Sequence, residues 1–436
     1  MKVLARGLLF LLASGSCFIA PRDAEAFEFG ACVHLMLGRS DAATVLQHLD
    51  AAGMTTFRDD IYWSGVEHEQ GTLQLAKSHE QVKLAAQGLG QRSKSALLIL
   101  DFGNKLYDGG GLIVSPEGRA AFARYADFVV RSFGDSVNRY EVWNEWNTGF
   151  GSKPKTDHGD AGDYVGLLDE ASKAIKKANP RATVIGGATA GVDLKWWREF
   201  IDADGLRHVD AISVHSYTLF RQKENPEGAI RSLERLHAMV EAANVGREIP
   251  IYVTEMGFPT NKGKHGVSER DAAKYLARFM TLARSRPWVR GVWWYDLFDD
   301  GDNDSKAEHR FGLVTRDLRL KPAYIVARDI APLVLADSKF ASYRTRANGY
   351  VVTGTDAKGN WAMAWSMERT FLDWADGQTT EPPAPDVLEA LSSELSPDGF
   401  PTLFRHNGGA WKADPDWIKE HFRRIPAAPS GLRTQK

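Results

Sequence analysis

The 436-residue sequence predicts an α/β chain folded as a (β/α)8 TIM barrel with a small C-terminal β-rich appendage. Three observations carry this. Short runs rich in β-branched and aromatic residues alternate with helical patterns, and the alternation closes after eight repeats, over about 300 residues, which is the size of such a barrel. The competing doubly wound sheet would carry a Gly-rich turn after its first strand, and "CVHLMLGRSD" has no G-x-G-x-x-G.

In chain order, the first 26 residues read as an export signal outside the fold. Lys2 and Arg6 precede "GLLFLLASGSCFIA", and "AEA" at 24–26 offers a small-x-small cleavage site before Phe27. The apolar run is too short and broken to span a bilayer as a mature helix, and no other segment approaches that length. The expected location is therefore periplasmic or secreted. Lipidation at Cys17 is disfavoured, because Ser14 stands where lipoprotein sites prefer an aliphatic side chain. After cleavage Cys32 is alone, so no intrachain disulfide can form and the hydrophobic core must carry stability.

Residues 27–335 are assigned to the barrel. Its strands are expected at "FEFGACVHL" from 27, "TTFRDDIYW" from 55, "ALLILDFGN" from 96, "NRYEVWNEW" from 138, "TVIGGATAG" from 183, "DAISVHSYT" from 210, "PIYVTEMGF" from 250 and "VRGVWWYDL" from 289. Helix stops follow the intervening patterns at Gly53, Gly134, Asn179-Pro180 and Gly246. Helix starts appear at Ser115-Pro116, a cap followed by proline at N1, and at "SERD" 268–271, a capping box with Asp in place of Glu.

Charge is nearly balanced, with 54 Lys+Arg against 56 Asp+Glu, so no bulk field points to nucleic acid or an anionic membrane. The 13 Trp and 12 Tyr instead suit a cleft that stacks the apolar faces of sugars.

Chemistry in this fold sits where strands end. The polar and aromatic residues closing the runs are His34, Arg58, Asn104, Asn144 with Glu145, His215 with Tyr217, Glu255, and Trp293-Trp294. Only strands four and seven end in glutamate. A buried carboxylate is costly unless partnered, and a salt bridge with Arg58 would explain either one alone. Strands four and seven lie across the barrel from each other, so both acids can face one pocket. Two opposed carboxyl groups are what glycoside hydrolysis needs, one protonated to serve the leaving oxygen and one ionised to attack or to activate water.

"EVWNEWN", "SVHSY", "YVTEMGF" and "GVWWYD" resemble the fourth, sixth, seventh and eighth strand ends of glycoside hydrolase clan A, whose members are retaining barrel enzymes. "FRDDIYWSGVEHEQG" and "DLFDDGDNDSKAEHRFGLVTRDLRLKPAY" carry a closer resemblance to family 39 endoglycosidases of bacterial exopolysaccharide systems such as Psl, over about residues 27–335. The resemblance implies Glu145 as general acid/base and Glu255 as nucleophile. It implies that Asn144 binds the sugar hydroxyl beside the reacting carbon, that Tyr217 and Arg58 hold Glu255 as a carboxylate, that His215 orients the acid side, and that Trp294 stacks under the sugar. His34, Asn104, Trp146 and Trp63 complete the expected substrate-binding set. Retention requires carboxyl groups about 5 to 5.5 Å apart. Trp146 stands where many clan members have proline, and Asn104 where some related families have histidine.

Other features take simpler readings. "DDGDNDS" at 299–305 lacks the Gly and Glu of an EF-hand loop and is expected as a solvated loop. "NKGKHG" at 261–266 could cradle an anionic sugar but is expected as a mobile loop beside Glu255. Trp143, sharing a strand side with Glu145 by the two-residue period, is expected to fill the barrel, and Trp196-Trp197 to pack its outer layer. No cofactor or metal is expected, with neither H-x-H after strand one nor H-E-x-x-H anywhere.

Residues 336–436 are assigned to the appendage. "ASYRTRANGYVVTGTDAKGNWAMAWS" reads as strands with "DAKGN" as the tightest turn, followed by a Pro- and Ser-rich stretch and a frayed end. Its role could be packing, a second sugar surface or docking to an exopolysaccharide biosynthesis complex. The expected function is a retaining endo-β-glycosidase acting on an exopolysaccharide, leaning toward one containing mannose. A transglycosylase or exo-acting enzyme of the same clan, and a non-catalytic polysaccharide-binding barrel, are the alternatives.

Overall fold

The structure, a computed structural model, describes residues 26–152, 158–218, 226–243, 245–344, 349–366, 399–407 and 410–417. The expected export signal, but for Ala26, lies outside the described residues, as do most of the Pro- and Ser-rich stretch and the chain end.

Eight parallel strands close a barrel: β1 (Glu28–Cys32), β2 (Thr56–Tyr62), β3 (Ala96–Asp101), β4 (Val137–Val142), β5 (Thr183–Ala190), β6 (Ala211–His215), β7 (Ile251–Met256) and β8 (Val289–Trp294). Each pairs with its neighbours in sequence, and β1 pairs with β8 to close the ring. Among the described residues, eight helices of nine or more residues cover the outside: α1 (Ala42–Ala51), α2 (His79–Gly90), α3 (Pro116–Phe133), α4 (Ala161–Ala178), α5 (Leu194–Asp202), α6 (Pro226–Ala243), α7 (Glu269–Arg284) and α8 (Pro322–Val334).

The local signals act as their chemistry dictates. Ser115 caps α3 by accepting from Gly118 N at 2.9 Å, with Pro116 in the first turn. Ser268 caps α7 by accepting from Asp271 N, while its hydroxyl donates to Asp271 Oδ2 at 2.7 Å, so the shorter acid closes the box through the hydroxyl. Gly134 ends α3 at φ 54°, a left-handed position that favours glycine. No helix among the described residues is long and apolar enough to cross a membrane.

Two cores follow from the alternation of strand side chains. Cys32, Leu97, Ile99, Ile185, Ala211, Tyr252 and Trp293 fill the barrel interior. A larger layer between sheet and helices holds Phe29, Val45, Phe122, Trp143, Trp196, Trp197 and Phe279 among others.

After α8, five antiparallel strands form a separate sheet in sequential order: β9 (Ala341–Arg344), β10 (Gly349–Asp356), β11 (Gly359–Ser366), β12 (Thr402–Asn407) and β13 (Ala410–Ala413). The tight turn falls where "DAKGN" predicts it, with Asp356 paired to Gly359 and Asp356 Oδ1 accepting from Lys358 N at 2.8 Å. A buried network fastens this sheet to the barrel. Glu227 on α6 accepts from Arg278 Nε on α7 at 2.6 Å and from Trp365 Nε1 on β11 at 2.8 Å.

Candidate active site

The backbone beyond β4 decides where the acids point. The strand ends at Val142, and Trp143 (φ 67°) and Glu145 (φ 54°) both adopt left-handed conformations that L-residues rarely hold. Alternation therefore stops. Trp143 packs into the outer layer, edge-on to Trp146 and Phe102, instead of filling the barrel beside Glu145 as the two-residue period suggested. Glu145 is held by its N–H to Ala188 O at 2.9 Å and by its carbonyl, which accepts from Thr148 N at 3.0 Å, and its side chain enters the cleft.

Arg58, inside β2 and only 3% exposed, organises the site. Nη1 donates to Glu255 Oε1 at 2.7 Å, Nε to Glu141 Oε2 at 2.7 Å and Nη2 to Asn144 Oδ1 at 2.9 Å. Burying a guanidinium is tolerable only with such saturation. Because Asn144 spends its oxygen on Arg58, its amide N–H2 is the face left for a ligand. Tyr217 Oη donates to Glu255 Oε2 at 2.9 Å. His215, fully buried, places Nδ1 2.9 Å from Glu145 Oε1 and 3.5 Å from Glu255 Oε2, and Nε2 3.3 Å from Arg58 Nη2. Arginine can only donate, so Nε2 accepts and Nδ1–H points to Glu145 in the neutral ring. Burial disfavours charging this imidazole, but Glu255 and then the hydrogen bond to Glu145 outweigh it and lift it above its ordinary value. One oxygen of Glu145 and one of Glu255 lie within 4.8 Å of each other.

The model of the cellulase (glycosyl hydrolase family 5) family matches residues 22–296, more than half the chain. The chain belongs to that family. This hydrolase is thus a clan A enzyme, and clan A chemistry is retaining. Among solved structures it is similar to a family 39 glycoside hydrolase from the gut symbiont Bacteroides cellulosilyticus WH2, with TM-score 0.67 and 24% identity, covering 89% of this chain and 79% of that one. It is also similar to a monomeric β-xylosidase from Caulobacter crescentus CB15, with TM-score 0.57 and 18% identity over 80% and 76% of the two chains. A third is a GH5_18 enzyme from Streptomyces cattleya in complex with Manβ1-4GlcNAc, with TM-score 0.55 and 19% identity over 71% and 80%. These likenesses are of fold. Comparison with curated proteins gives no match.

The cleft of the hydrolase, about 580 Å³, is lined by His34, Arg58, Asn144, Glu145, Tyr217 and Glu255 from the expected set. His215 stands behind them, touching both glutamates. Four expected sugar contacts lie elsewhere. Trp63 is buried, stacked on Tyr107 with ring centroids 5.0 Å apart, and donates to Glu67 Oε2. Asn104 ties down the loop after β3, donating to Glu67 O at 2.7 Å. Trp146 is buried with Nε1 on Asp160 O at 2.8 Å. Trp294 falls in the outer layer, because alternation along β8 turns Trp293 inward and Trp294 outward, and it is Tyr295 that reaches the cleft.

Sequence reasoning missed Asp60, Tyr62, Phe102, Phe150, Glu308 and Phe311 on the cleft wall. Asp60 and Tyr62 share the "RDDIY" run with Arg58, and period two from Arg58 marks both. The others come from loops and carried no signal. Glu141, completely buried beneath Arg58, was also missed.

The acidic segment after β8 is solvated only in part: Asp302, Asn303 and Ser305 are exposed, while its start is anchored in the protein. Asp299 is buried and accepts from Lys321 Nζ at 2.6 Å, with Arg310 3.3 Å away. Asp300 lies 3.0 Å from His34 Nδ1, and Asp296 3.7 Å from the same atom. Burial opposes protonating His34, but the hydrogen bond to Asp300 and the charge of Asp296 prevail and raise it to about 10. Asp304 pairs with Arg310 and, at 2.8 Å, with Lys262. The 261–266 loop, expected as mobile, is therefore tied to the acidic segment. Ligand atoms of His34, Asp296 and Asp300, and of Glu145, His215 and Glu255, cluster within 4.8 Å in each set. Each set already has an arginine against it, Arg39 at 3.5 Å from Asp300 and Arg58 at 2.7 Å from Glu255, which disfavours a metal ion in either.

Proposed function

We propose that the protein is a retaining endo-β-glycosidase that hydrolyses a secreted polysaccharide, with Glu145 as acid/base and Glu255 as nucleophile. The observation carrying this reading is the approach of the two carboxyl groups to within 4.8 Å, bridged by His215. A gap that short leaves no room for a water between the second carboxylate and the anomeric carbon, as inversion requires.

In the first step a Glu255 oxygen forms a bond to the anomeric carbon while the bond to the leaving oxygen breaks, and Glu145 gives that oxygen its proton. In the second, Glu145 takes a proton from water, the water oxygen bonds to the anomeric carbon, and Glu255 leaves as carboxylate. Arg58 and Tyr217 hold Glu255 in place for attack, and the Asn144 amide donates to the neighbouring sugar hydroxyl, a contact that tightens in the transition state.

Endo action is supported by aromatic rings on both halves of the rim. Tyr62, Phe102 and Phe150 follow β2, β3 and β4, with Phe102 and Phe150 centroids 5.5 Å apart. Tyr217, Tyr295 and Phe311 follow β6 and β8. A chain passing between them meets platforms on either side of the acids. An exopolysaccharide substrate rests on the motif resemblance and the export signal, and mannose on that resemblance together with the Manβ1-4GlcNAc bound by the similar Streptomyces cattleya enzyme. Docking of the appendage sheet to a biosynthesis complex belongs to the same proposal.

The test is oligosaccharide release from β-mannans, β-glucans, xylans and the producing organism's exopolysaccharide, followed by NMR for anomeric configuration, with Glu255→Gln in parallel. Release of β-anomers that the variant loses by at least about a hundredfold supports the reading. A polymer bound equally by both proteins and cut by neither makes the protein a binding barrel.

A further inference from the structure

The cleft wall carries more negative charge than its chemistry uses. Asp60, Glu145, Glu255, Asp300 and Glu308 face three cations, Arg58, His34 and, 3.5 Å from Asp300, Arg39. Arg58 is shared between Glu255 and the buried Glu141, and His34 is taken by Asp300 and Asp296. Among the described residues neither Asp60 nor Glu308 has a cation within ion-pair distance. Glu308 sits on a short turn, Ala307–His309, in the segment after β8. Its nearest polar partner is the Tyr295 hydroxyl at 3.5 Å. Glu308 is an exposed residue at the rim, where partial desolvation by the cleft and then the charges of Glu255, Asp300 and Glu145 raise its carboxyl above the ordinary range. Beneath the wall, Asp59 is raised to about 7 by burial and by Asp60. The cleft is short of positive charge.

Neutral hydroxyl groups would satisfy these oxygens without removing the repulsion between them, whereas an ammonium removes both. Beside Glu308 stand three rings suited to a cation: Tyr295 and Phe311 with centroids 5.3 Å apart, and Tyr217 at 5.8 Å from Phe311 and 6.2 Å from Tyr295. A uronic acid would meet like charge on the same wall.

We propose that this cleft selects a glycan bearing free amino groups, with an ammonium of the sugar chain held by Glu308 against the Tyr295 and Phe311 rings. The proposal rests on the cleft being the polysaccharide site and adds the charge of the substrate to it.

The experiment measures binding of oligoglucosides of several β linkages, each as the hydroxyl, amino, N-acetylamino and carboxylate form, to Glu145→Gln, which leaves the Arg58–Glu255 pair intact. The amino form is expected to bind at least about tenfold tighter than the hydroxyl form of the same linkage, the carboxylate form weakest, with the preference shrinking as salt rises. Adding Glu308→Gln is expected to bring the amino-to-hydroxyl ratio to about twofold or less. A ratio unmoved by Glu308→Gln, a neutral or carboxylate form ranking first, or binding of no member overturns the proposal. Hydrolysis of the same set by the native protein separates the two readings. Cleavage of a neutral form in preference keeps the glycosidase and removes the charge selection, and amine-selective binding with no cleavage does the reverse.

Discussion

Arg58 Nη1 lies 2.7 Å from Glu255 Oε1, and the same guanidinium reaches Glu141 through Nε at 2.7 Å. A single cation on β2 thus compensates acids on β7 and β4 within the barrel mouth. Arg58→Met leaves both acids buried and unpaired and is expected to destabilise the fold by about 3 to 5 kcal/mol, read by urea unfolding. Arg58→Lys keeps a charge but not the fork, and should fold while losing at least about tenfold in kcat.

Glu145→Ala removes a proton donor, so its effect depends on the leaving group. On a polymer the loss should be about a hundredfold or more, and on an aryl glycoside with a good leaving group much smaller. Azide should then restore turnover and give a glycosyl azide of retained configuration, identified by NMR. An equal loss on both substrates would move the acid role to another residue.

Tyr217→Phe removes the 2.9 Å hydrogen bond to Glu255 Oε2 and keeps the ring. A hydrogen bond to a charged acceptor is worth about 1.5 to 3 kcal/mol. The expected loss in kcat/KM is about ten- to a hundredfold, with the melting temperature nearly unchanged.

His34 ties β1 to the segment after β8 through Asp300 and Asp296. Its folded value, raised to about 10, lies above the unfolded one, so its contribution is complete below about pH 6.5 and is lost as pH rises through 10. His34→Gln should cost about 1.5 to 3 kcal/mol at pH 6, and the gap to the native protein should narrow steadily toward pH 10 in parallel urea titrations. A gap independent of pH would mean that His34 acts by packing alone.

Arg278→Met leaves Glu227 buried against Trp365 Nε1 with no guanidinium. The expected cost is about 3 to 5 kcal/mol, with kcat of the folded protein unchanged because the network lies on the helices α6 and α7, away from the cleft. Separate unfolding of sheet and barrel by two probes would show that this network is what couples them.

The sequence by itself determined the barrel, because strand and helix periods, caps such as Ser115 and stops such as Gly134 are local chemistry that repeats along the chain. It also marked both glutamates, since a carboxylate at the end of an apolar strand stands out against its surroundings. Tertiary structure alone decided which side chains face the cleft. Trp143 turned outward because two left-handed residues break the strand period, and Tyr295 took the position expected of Trp294 because alternation continued one residue further. Trp63 and Trp146 went to packing, and Asn104 to holding a loop. Phe150, Glu308 and Phe311 came in on loops whose course depends on contacts far away in sequence, such as Lys321 with Asp299. The same holds for charge: a chain with near-zero net charge builds an acidic cleft because its cations are spent below the wall, and only the folded arrangement assigns each arginine to its acids.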